Sequence, residues 1–386
     1  MGQNRHTKVV KHFDSCSTLQ DFRRKRELGV LFSRYYFVSL PDMKVLVDSF
    51  VPYVAEVLAP YAEVVVADGR WLTPSDVADI HALVVRTRTR CDEKLLGGAE
   101  KLKFVGTATI GYDHIDQPYL ASRGVSFTSA AGCNSRAVLQ WVAAVLAHLS
   151  AKQEWQPEEK TLGVVGVGHV GSLVAEYARS WGFRVLCSDP PRERAEGLGP
   201  QDGFVPLEEL VAQSDIVTFH TPLLRSGDNP TFHLVNEELL SRMKDGATVL
   251  NASRGEVADT AALIAHSHRL TLCIDVWEGE PDAISRELLR LAEIATPHIA
   301  GYSAQGKANA SAIVVNAMAR RLGIEQLSGW YPEDVVPSRP RPISWADMVA
   351  QIDSHCHLRE ETERMKRKPD DFEQRRNSYP LREEFF

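Results

Sequence analysis

Cysteine is scarce and scattered in this sequence: Cys16, Cys91, Cys133, Cys187, Cys273 and Cys356 stand far apart, with no C-x-x-C pair. That spacing excludes a disulfide-dense secreted scaffold and leaves free thiols in a reducing cytoplasm as the expectation. Long apolar runs are missing too, and none approaches the roughly 20 residues that a membrane-spanning helix needs. Excess positive charge is also absent. A net charge of −7 argues against general binding to nucleic acid or anionic membrane. The segment Asp353-Ser354-His355-Cys356-His357 imitates a metal-binding H-x-H, but on a helix its two histidines point to different faces, so no metal is expected. What remains is 386 residues, 44% hydrophobic and 25% charged, the make-up of an ordinary globular protein of two or three domains.

Residues 1–42 carry eight Lys/Arg against four Asp/Glu and show no apolar segment with a cleavage site. An N-myristoylation motif fails because position 6 is histidine. Val45-Leu46-Val47 reads as a first strand, so residues 1–42 are expected to be a poorly ordered extension, with a regulatory or targeting arm as the alternative.

The strongest motif is Leu162-Gly163-Val164-Val165-Gly166-Val167-Gly168-His169-Val170-Gly171, followed by Val185-Leu186-Cys187-Ser188-Asp189. An apolar run ending in G-x-G-x-x-G, a helical stretch, and a second apolar run ending in an acid make a dinucleotide-binding βαβ unit. Gly166 serves the tight turn, Gly168 the approach of a pyrophosphate, and Gly171 the packing of helix on strand. The helix opening at His169 and Val170 offers its free N–H groups to the phosphates. Val170, Leu173, Val174, Tyr177, Ala178 and Trp181 share one face of that helix. Asp189 suits the ribose hydroxyls of NAD and repels the extra phosphate of NADP, although Arg192 and Arg194 follow closely.

Strands are expected at Lys44–Val47, Glu63–Ala67, Ala82–Arg86, Phe104–Thr107 and Val125–Thr128, then at Ile216–His220, Thr248–Asn251, Cys273–Val276 and Glu293–Thr296. Alternation with helical stretches means α/β architecture with parallel sheets. Ala137–Leu149 is apolar almost all round and predicts a buried helix. Domain limits are expected at 43–132 together with 299–325, and at 133–298. Residues 326–386 begin with a Pro-rich linker (Pro337, Pro340, Pro342) and form a short C-terminal region.

Three chemical residues follow strand ends: Arg254 in Asn251-Ala252-Ser253-Arg254-Gly255, Glu280 in Asp275-Val276-Trp277-Glu278-Gly279-Glu280-Pro281, and His298 in Thr296-Pro297-His298. The carboxyl ends of parallel strands face one crevice, so the three are able to meet beside a nicotinamide. Arginine grips a carboxylate, histidine exchanges a hydroxyl proton and glutamate steadies the imidazolium, a set suited to hydride transfer at a 2-hydroxy acid. Val84-Val85-Arg86-Thr87-Arg88-Thr89-Arg90 adds a local triple cation in an acidic protein; period-two alternation puts its three arginines on one side, with Arg86 the first choice for a phosphate.

From Met43 to about Lys307 the sequence resembles the D-isomer-specific 2-hydroxyacid dehydrogenases. The likeness rests on Phe104-Val105-Gly106-Thr107-Ala108-Thr109, Asp113-His114-Ile115-Asp116, Gly132-Cys133-Asn134, Asp189-Pro190-Pro191-Arg192, His220-Thr221-Pro222-Leu223 and His298-Ile299-Ala300-Gly301-Tyr302, besides the segments already quoted. The double proline, the His-Thr-Pro-Leu block and the His-Ile-Ala-Gly-Tyr block are those of a branch acting on a phosphorylated 2-hydroxy acid. The resemblance implies a flavodoxin-like substrate domain, a Rossmann NAD domain and a short C-terminal dimerisation appendage, hence a homodimer. It also implies NAD contacts at Asp189, Thr221, Asp275 and Gly301, substrate contacts at Thr87, Thr109 and Tyr302, and catalysis by Arg254, Glu280 and His298. Other dehydrogenases of the family share this triad, and a non-catalytic NAD-sensing regulator is the alternative of another class.

Departures are few. Ser253 replaces a common cysteine, and Glu256 replaces a proline where it is placed to pair with Arg254. The region after Pro332 is shorter than the family's dimerisation domain and is expected to lack its final elements. Arg376 and Arg382 are candidates to reach a neighbour's substrate phosphate.

Overall fold

A computed structural model describes residues 43–386; the extension expected at 1–42 lies outside the described residues. Two wholly parallel sheets dominate the chain. The first holds β1 (Lys44–Asp48), β2 (Glu63–Ala67), β3 (Ala82–Val85), β4 (Phe104–Thr107) and β5 (Ser126–Ser129) in the order β2-β1-β3-β4-β5. The second holds β6 (Thr161–Val165), β7 (Arg184–Ser188), β8 (Ile216–Phe219), β9 (Thr248–Asn251), β10 (Thr271–Ile274) and β11 (Ile294–Ala295) in the order β11-β10-β9-β8-β6-β7. Strands such as β3, β6, β8 and β9 are buried along their whole length, as parallel strands covered on both faces must be. The α/β class with two doubly wound sheets is therefore as expected. Each sheet reverses its winding once, between β1 and β3 and between β6 and β8, and in such sheets ligands bind at the reversal.

Most strand limits agree with the sequence reading to within a residue or two; β3 ends early for a physical reason. The Thr89 N–H donates to the Arg86 carbonyl at 3.3 Å, closing a turn that begins where extended backbone was expected. Arg90 therefore does not project with Arg86 and Arg88.

Two long helices join the sheets. Helix α1 (Ser135–Gln153) is buried on nearly every face and packs beside α2 (His169–Trp181), which starts at Gly168 and stops at left-handed Gly182. Helix α3 (Pro190–Glu196) is capped by Asp189. Helix α4 (Ala304–Leu322) returns to the first sheet and buries Val314, Val315 and Met318 against Val45, Val47 and Phe104.

The C-terminal region folds onto its own chain. The Pro-rich stretch expected as a linker is tied to α2: Tyr177 Oη–H donates to the Arg341 carbonyl (2.9 Å) and Trp181 Nε1–H to that of Ile343 (3.1 Å). Helix α5 (Trp345–His355) seats Met348 and Ile352 against α1, and His355 stacks on Phe385. Helix α6 (Leu358–Arg367) packs beside β11, and the short α7 (Phe372–Ser378) buries Phe372. Phe386 sits between Tyr177 and Trp181. Among the described residues no helix is long and apolar enough to cross a membrane, and no group of three or more His, Cys, Asp or Glu is placed to hold a metal ion.

Candidate active site

The turn after β6 has the geometry that its glycines predict. Gly166 adopts φ +81°, and a Cβ there would meet the His220 backbone at 2.9 Å. Gly168 faces open space, leaving its backbone approachable, whereas a Cβ on Gly171 would collide with the Gly166 carbonyl. The first-turn N–H groups of α2, from His169 and Val170 onward, have no partners further back along the helix. Asp189 stands at the end of β7, accepting from Val167 N–H (2.8 Å) and Arg192 N–H (3.1 Å). The Arg192 side chain is held by the Val167 carbonyl (2.7 Å) and Glu196 (2.9 Å), so it is not free to receive a ribose phosphate. The Thr221 hydroxyl is buried and has no partner in the protein. An open backbone cradle at a helix N-terminus, a strand-end carboxylate and an orphaned hydroxyl fit NAD.

Next to this turn, the loops after β9, β10 and β11 meet. Asn251 shapes the first: its Oδ1 accepts from Ser253 N–H and Oγ–H, while its Nδ2–H donates to the Arg254 carbonyl at 3.0 Å. Gly255 touches the Trp277 carbonyl so closely that a Cβ would not fit, which locks this loop against the next. Asp275 organises the third loop. Its buried carboxylate accepts from Thr296 Oγ1–H (2.6 Å), Ile299 N–H (2.8 Å) and Ala300 N–H (2.9 Å), and its carbonyl accepts from His298 N–H (2.7 Å). Asp275 therefore fixes the loop that carries His298, and Gly301, pressed against the Asn134 side chain, continues that loop.

This clamp holds His298 at φ +55°, where the Nδ1 edge of its ring meets Glu280 Oε1 in a short hydrogen bond. The other Glu280 oxygen accepts from Trp277 N–H at 3.0 Å. Burial pushes the Glu280 carboxyl up, but the His298 ring, its hydrogen bond and the Arg376 charge outweigh that, and the net shift is downward. Arg254, the third chemical residue expected from the sequence, turns from its loop toward the first lobe. Its Nε lies 3.5 Å from Asp113 of the first lobe, and it packs on Gly111. The pairing with Glu256 expected from sequence does not occur; Glu256 faces Arg225 at 3.6 Å.

A small, solvent-open pocket lies at the winding reversal of the first sheet. Phe50 follows β1, while Arg86, Thr87 and Arg88 follow β3; Arg70 comes from the turn after β2, and Tyr302 from the His298 loop. Arg86 lies over the Phe50 ring and is steadied by Asp48 at 3.3 Å. Arg90 points elsewhere, pairing with Asp92 on the surface. The far wall is α7, with Glu373, Arg376 and Asn377. Arg376 Nε–H donates to Tyr302 Oη at 3.0 Å, and Glu373 accepts from Arg88 at 2.9 Å. Lys307 sits over the Tyr302 ring at 4.5 Å; burial pushes its ammonium pKa down, with the neighbouring Arg86 and Arg376 charges adding to the effect.

The structure thus brings Arg86, Thr87 and Tyr302 into one pocket, next to the Arg254–Glu280–His298 cluster. Thr109 lies outside the pocket's lining, its hydroxyl donating to the carbonyl of the Gly111 that supports Arg254. Arg376 lines the pocket of its own chain. Arg382 is buried, donating to the carbonyls of Ala137, Ile299 and Ala300. Phe50, Arg70, Glu373 and Asn377 carried no signal in the sequence, because each reaches the pocket only through tertiary contact.

Two parallel α/β lobes, a dinucleotide turn and an Arg–Glu–His cluster define an NAD-dependent dehydrogenase acting on a hydroxy acid. Comparison with known proteins agrees, and the chain belongs to the D-isomer specific 2-hydroxyacid dehydrogenase family: the NAD-binding domain of that family matches residues 133–300. Erythronate-4-phosphate dehydrogenase of Bacteroides fragilis is 42% identical over 348 residues, covering 89% of this chain and 97% of the relative. The enzyme of the same name from Aeromonas salmonicida is 39% identical over 89% of this chain and 93% of its own. Among solved structures, D-lactate dehydrogenase of Aquifex aeolicus, complexed with NAD and lactic acid, superposes with a TM-score of 0.60 at 28% identity, over 76% of this chain and 100% of that one.

Proposed function

We propose that the protein oxidises 4-phospho-D-erythronate at C2 to 2-oxo-3-hydroxy-4-phosphobutanoate, a step towards pyridoxal phosphate. The observation that carries the reading is the cationic pocket beside the triad: Arg70, Arg86, Arg88 and Arg376 converge where a phosphate three carbons from the carboxylate would lie. The names of the relatives support the same substrate.

Arg254 binds the carboxylate, exchanging Asp113 for the substrate's two oxygens. His298 Nδ1 is held by Glu280, which leaves Nε2 to take the C2 hydroxyl proton. Glu280, kept ionised, stabilises the imidazolium that results. NAD, held by the turn from Gly166 to Gly171 together with Asp189, Thr221 and Gly301, supplies the hydride acceptor. Thr87 and Tyr302 position the chain of the substrate, and Arg86 and Arg376 hold its phosphate.

Residues 43–132 with 299–325 serve as the substrate lobe and 133–298 as the NAD lobe. Residues 326–386, which leave Val336 and Val349 exposed, are proposed to join two copies, a point that light scattering of the purified protein decides. Free thiols at the described cysteines favour a cytoplasmic location.

The test is formation of NADH with 4-phospho-D-erythronate against 3-phosphoglycerate, D-glycerate and glyoxylate, run in both directions. Selective turnover of the phosphorylated four-carbon acid is expected. Equal or better turnover of an unphosphorylated acid would overturn the substrate assignment.

A further inference from the structure

The segment that follows β8 touches the loops of both Arg254 and Glu280, and one residue makes both contacts. His233 N–H donates to the carbonyl of Glu256, two residues past Arg254, at 2.9 Å. Its ring meets Glu278 Oε1, two residues before Glu280, through Nε2 at 2.7 Å. Burial pushes the Glu278 carboxyl up, but the His233 and Thr260 hydrogen bonds outweigh it and the net shift is downward. An ionised carboxylate only accepts, so the proton of this contact belongs to Nε2. The other Glu278 oxygen accepts from Thr260 N–H at 3.4 Å. His233 adopts φ +50°, a left-handed backbone that glycine takes without steric cost. The ring is backed from the same segment: Phe232 stacks on it with centroids 4.0 Å apart, and Arg225 lies 4.6 Å over Phe232 while facing Glu256 at 3.6 Å.

We propose that His233 is a positioning residue: its backbone holds the loop of Arg254, its ring holds the loop of Glu280, and the two bonds together fix the spacing between the group that binds the carboxylate and the pair that takes the proton. The inference rests on the roles given above to Arg254, Glu280 and His298. A carboxylate on Arg254 fixes where the C2 hydroxyl lies, and His298, steered by Glu280, has to meet that hydroxyl at hydrogen-bonding distance. A misplacement of about 1 Å costs on the order of 10²-fold in rate. Gly255 already presses on the Trp277 carbonyl where the two loops touch, and His233 ties the same two loops from the β8 side. Turning the chain at this φ needs only glycine; reaching Glu278 needs the side chain, and the backbone strain accompanies it.

Two variants of the full-length, NAD-loaded protein test this. His233→Gly keeps the turn and the backbone bond but removes the ring, whereas His233→Gln restores an N–H able to reach Glu278. With 4-phospho-D-erythronate, kcat should fall roughly 10- to 100-fold in His233→Gly, with NAD affinity unchanged, and should largely recover in His233→Gln. A role in folding alone would lower the thermal midpoint of His233→Gly and leave the kcat of the folded enzyme at the native value, which overturns the proposal. An equal loss in the two variants overturns it as well. A second readout needs no substrate: the downfield proton resonance of the hydrogen bond between His298 Nδ1 and Glu280, identified by its loss in His298→Gln. That resonance should shift in His233→Gly and return in His233→Gln, and an unshifted one overturns the proposal. If the native protein does not turn over 4-phospho-D-erythronate, the substrate assignment fails and this resonance alone decides the role of His233.

Discussion

His298 holds its imidazole on a left-handed backbone, at φ +55°, a conformation that is strained for a residue with a Cβ and costs of order 1–3 kcal/mol. The Asp275 clamp offsets it, with three hydrogen bonds to the carboxylate and a fourth to its carbonyl. Strain held at one residue and repaid by a buried neighbour marks a position kept for geometry. Replacing His298 with alanine should lower kcat by about 10²–10⁴, the size of an acid/base contribution, while NAD binding followed by protein fluorescence stays intact. Glu280 gives a prediction in pH. Its native pKa lies below the ordinary carboxylate value, so its stabilising contribution is complete above that value and is lost as pH falls through the native one. The difference in thermal midpoint between the native protein and Glu280→Gln should therefore be constant around neutral pH. It should close only below about pH 4.3, the ordinary glutamate value.

At the scale of elements, the short helix α7 supplies Glu373 and Arg376 to the wall of the pocket. Arg376 and Glu373 have opposite effects there. Arg376→Met removes a charge-assisted phosphate contact, and KM for the phosphorylated substrate should rise roughly 10- to 100-fold with little change for an unphosphorylated acid. Glu373 occupies Arg88 as a phosphate would, so Glu373→Gln should lower that KM; steady-state kinetics on both acids checks the pair. The segment after α7 has a different task. Arg382→Met would strand the carbonyls of Ala137, Ile299 and Ala300, and urea unfolding should show a loss of about 3 kcal/mol or more. These C-terminal roles were hidden in the sequence. Strands reveal themselves by apolar runs such as Ile216–Phe219, and the dinucleotide turn by glycines at fixed spacing, because both are local. The contact of Arg88 with Glu373 spans 285 residues, and no local pattern announces it. The turn at Arg86 was equally invisible, since alternation of Arg and Thr reads as strand until a single backbone bond closes it.

Over the whole molecule, the site lies where the winding reversals of two sheets and a C-terminal belt come together. The order of Arg254, Glu280 and His298 along the chain made the triad legible, because successive parallel strands deliver their ends to one crevice. The cationic pocket was legible at Arg86 and Arg88, which are local to one strand end, and at Arg376 only as a candidate for a neighbour's site; Arg70 comes from another part of the chain and gave no signal. On the proposed function, this crevice removes hydride from C2 of a phosphorylated acid. A single turnover with 4-phospho-D-erythronate deuterated at C2 is the decisive measurement. Deuterium is expected to leave the acid, appear in the reduced cofactor, and slow the step in the native protein. Deuterium retained at C2 of the product, or reduced cofactor formed without the label, would contradict it.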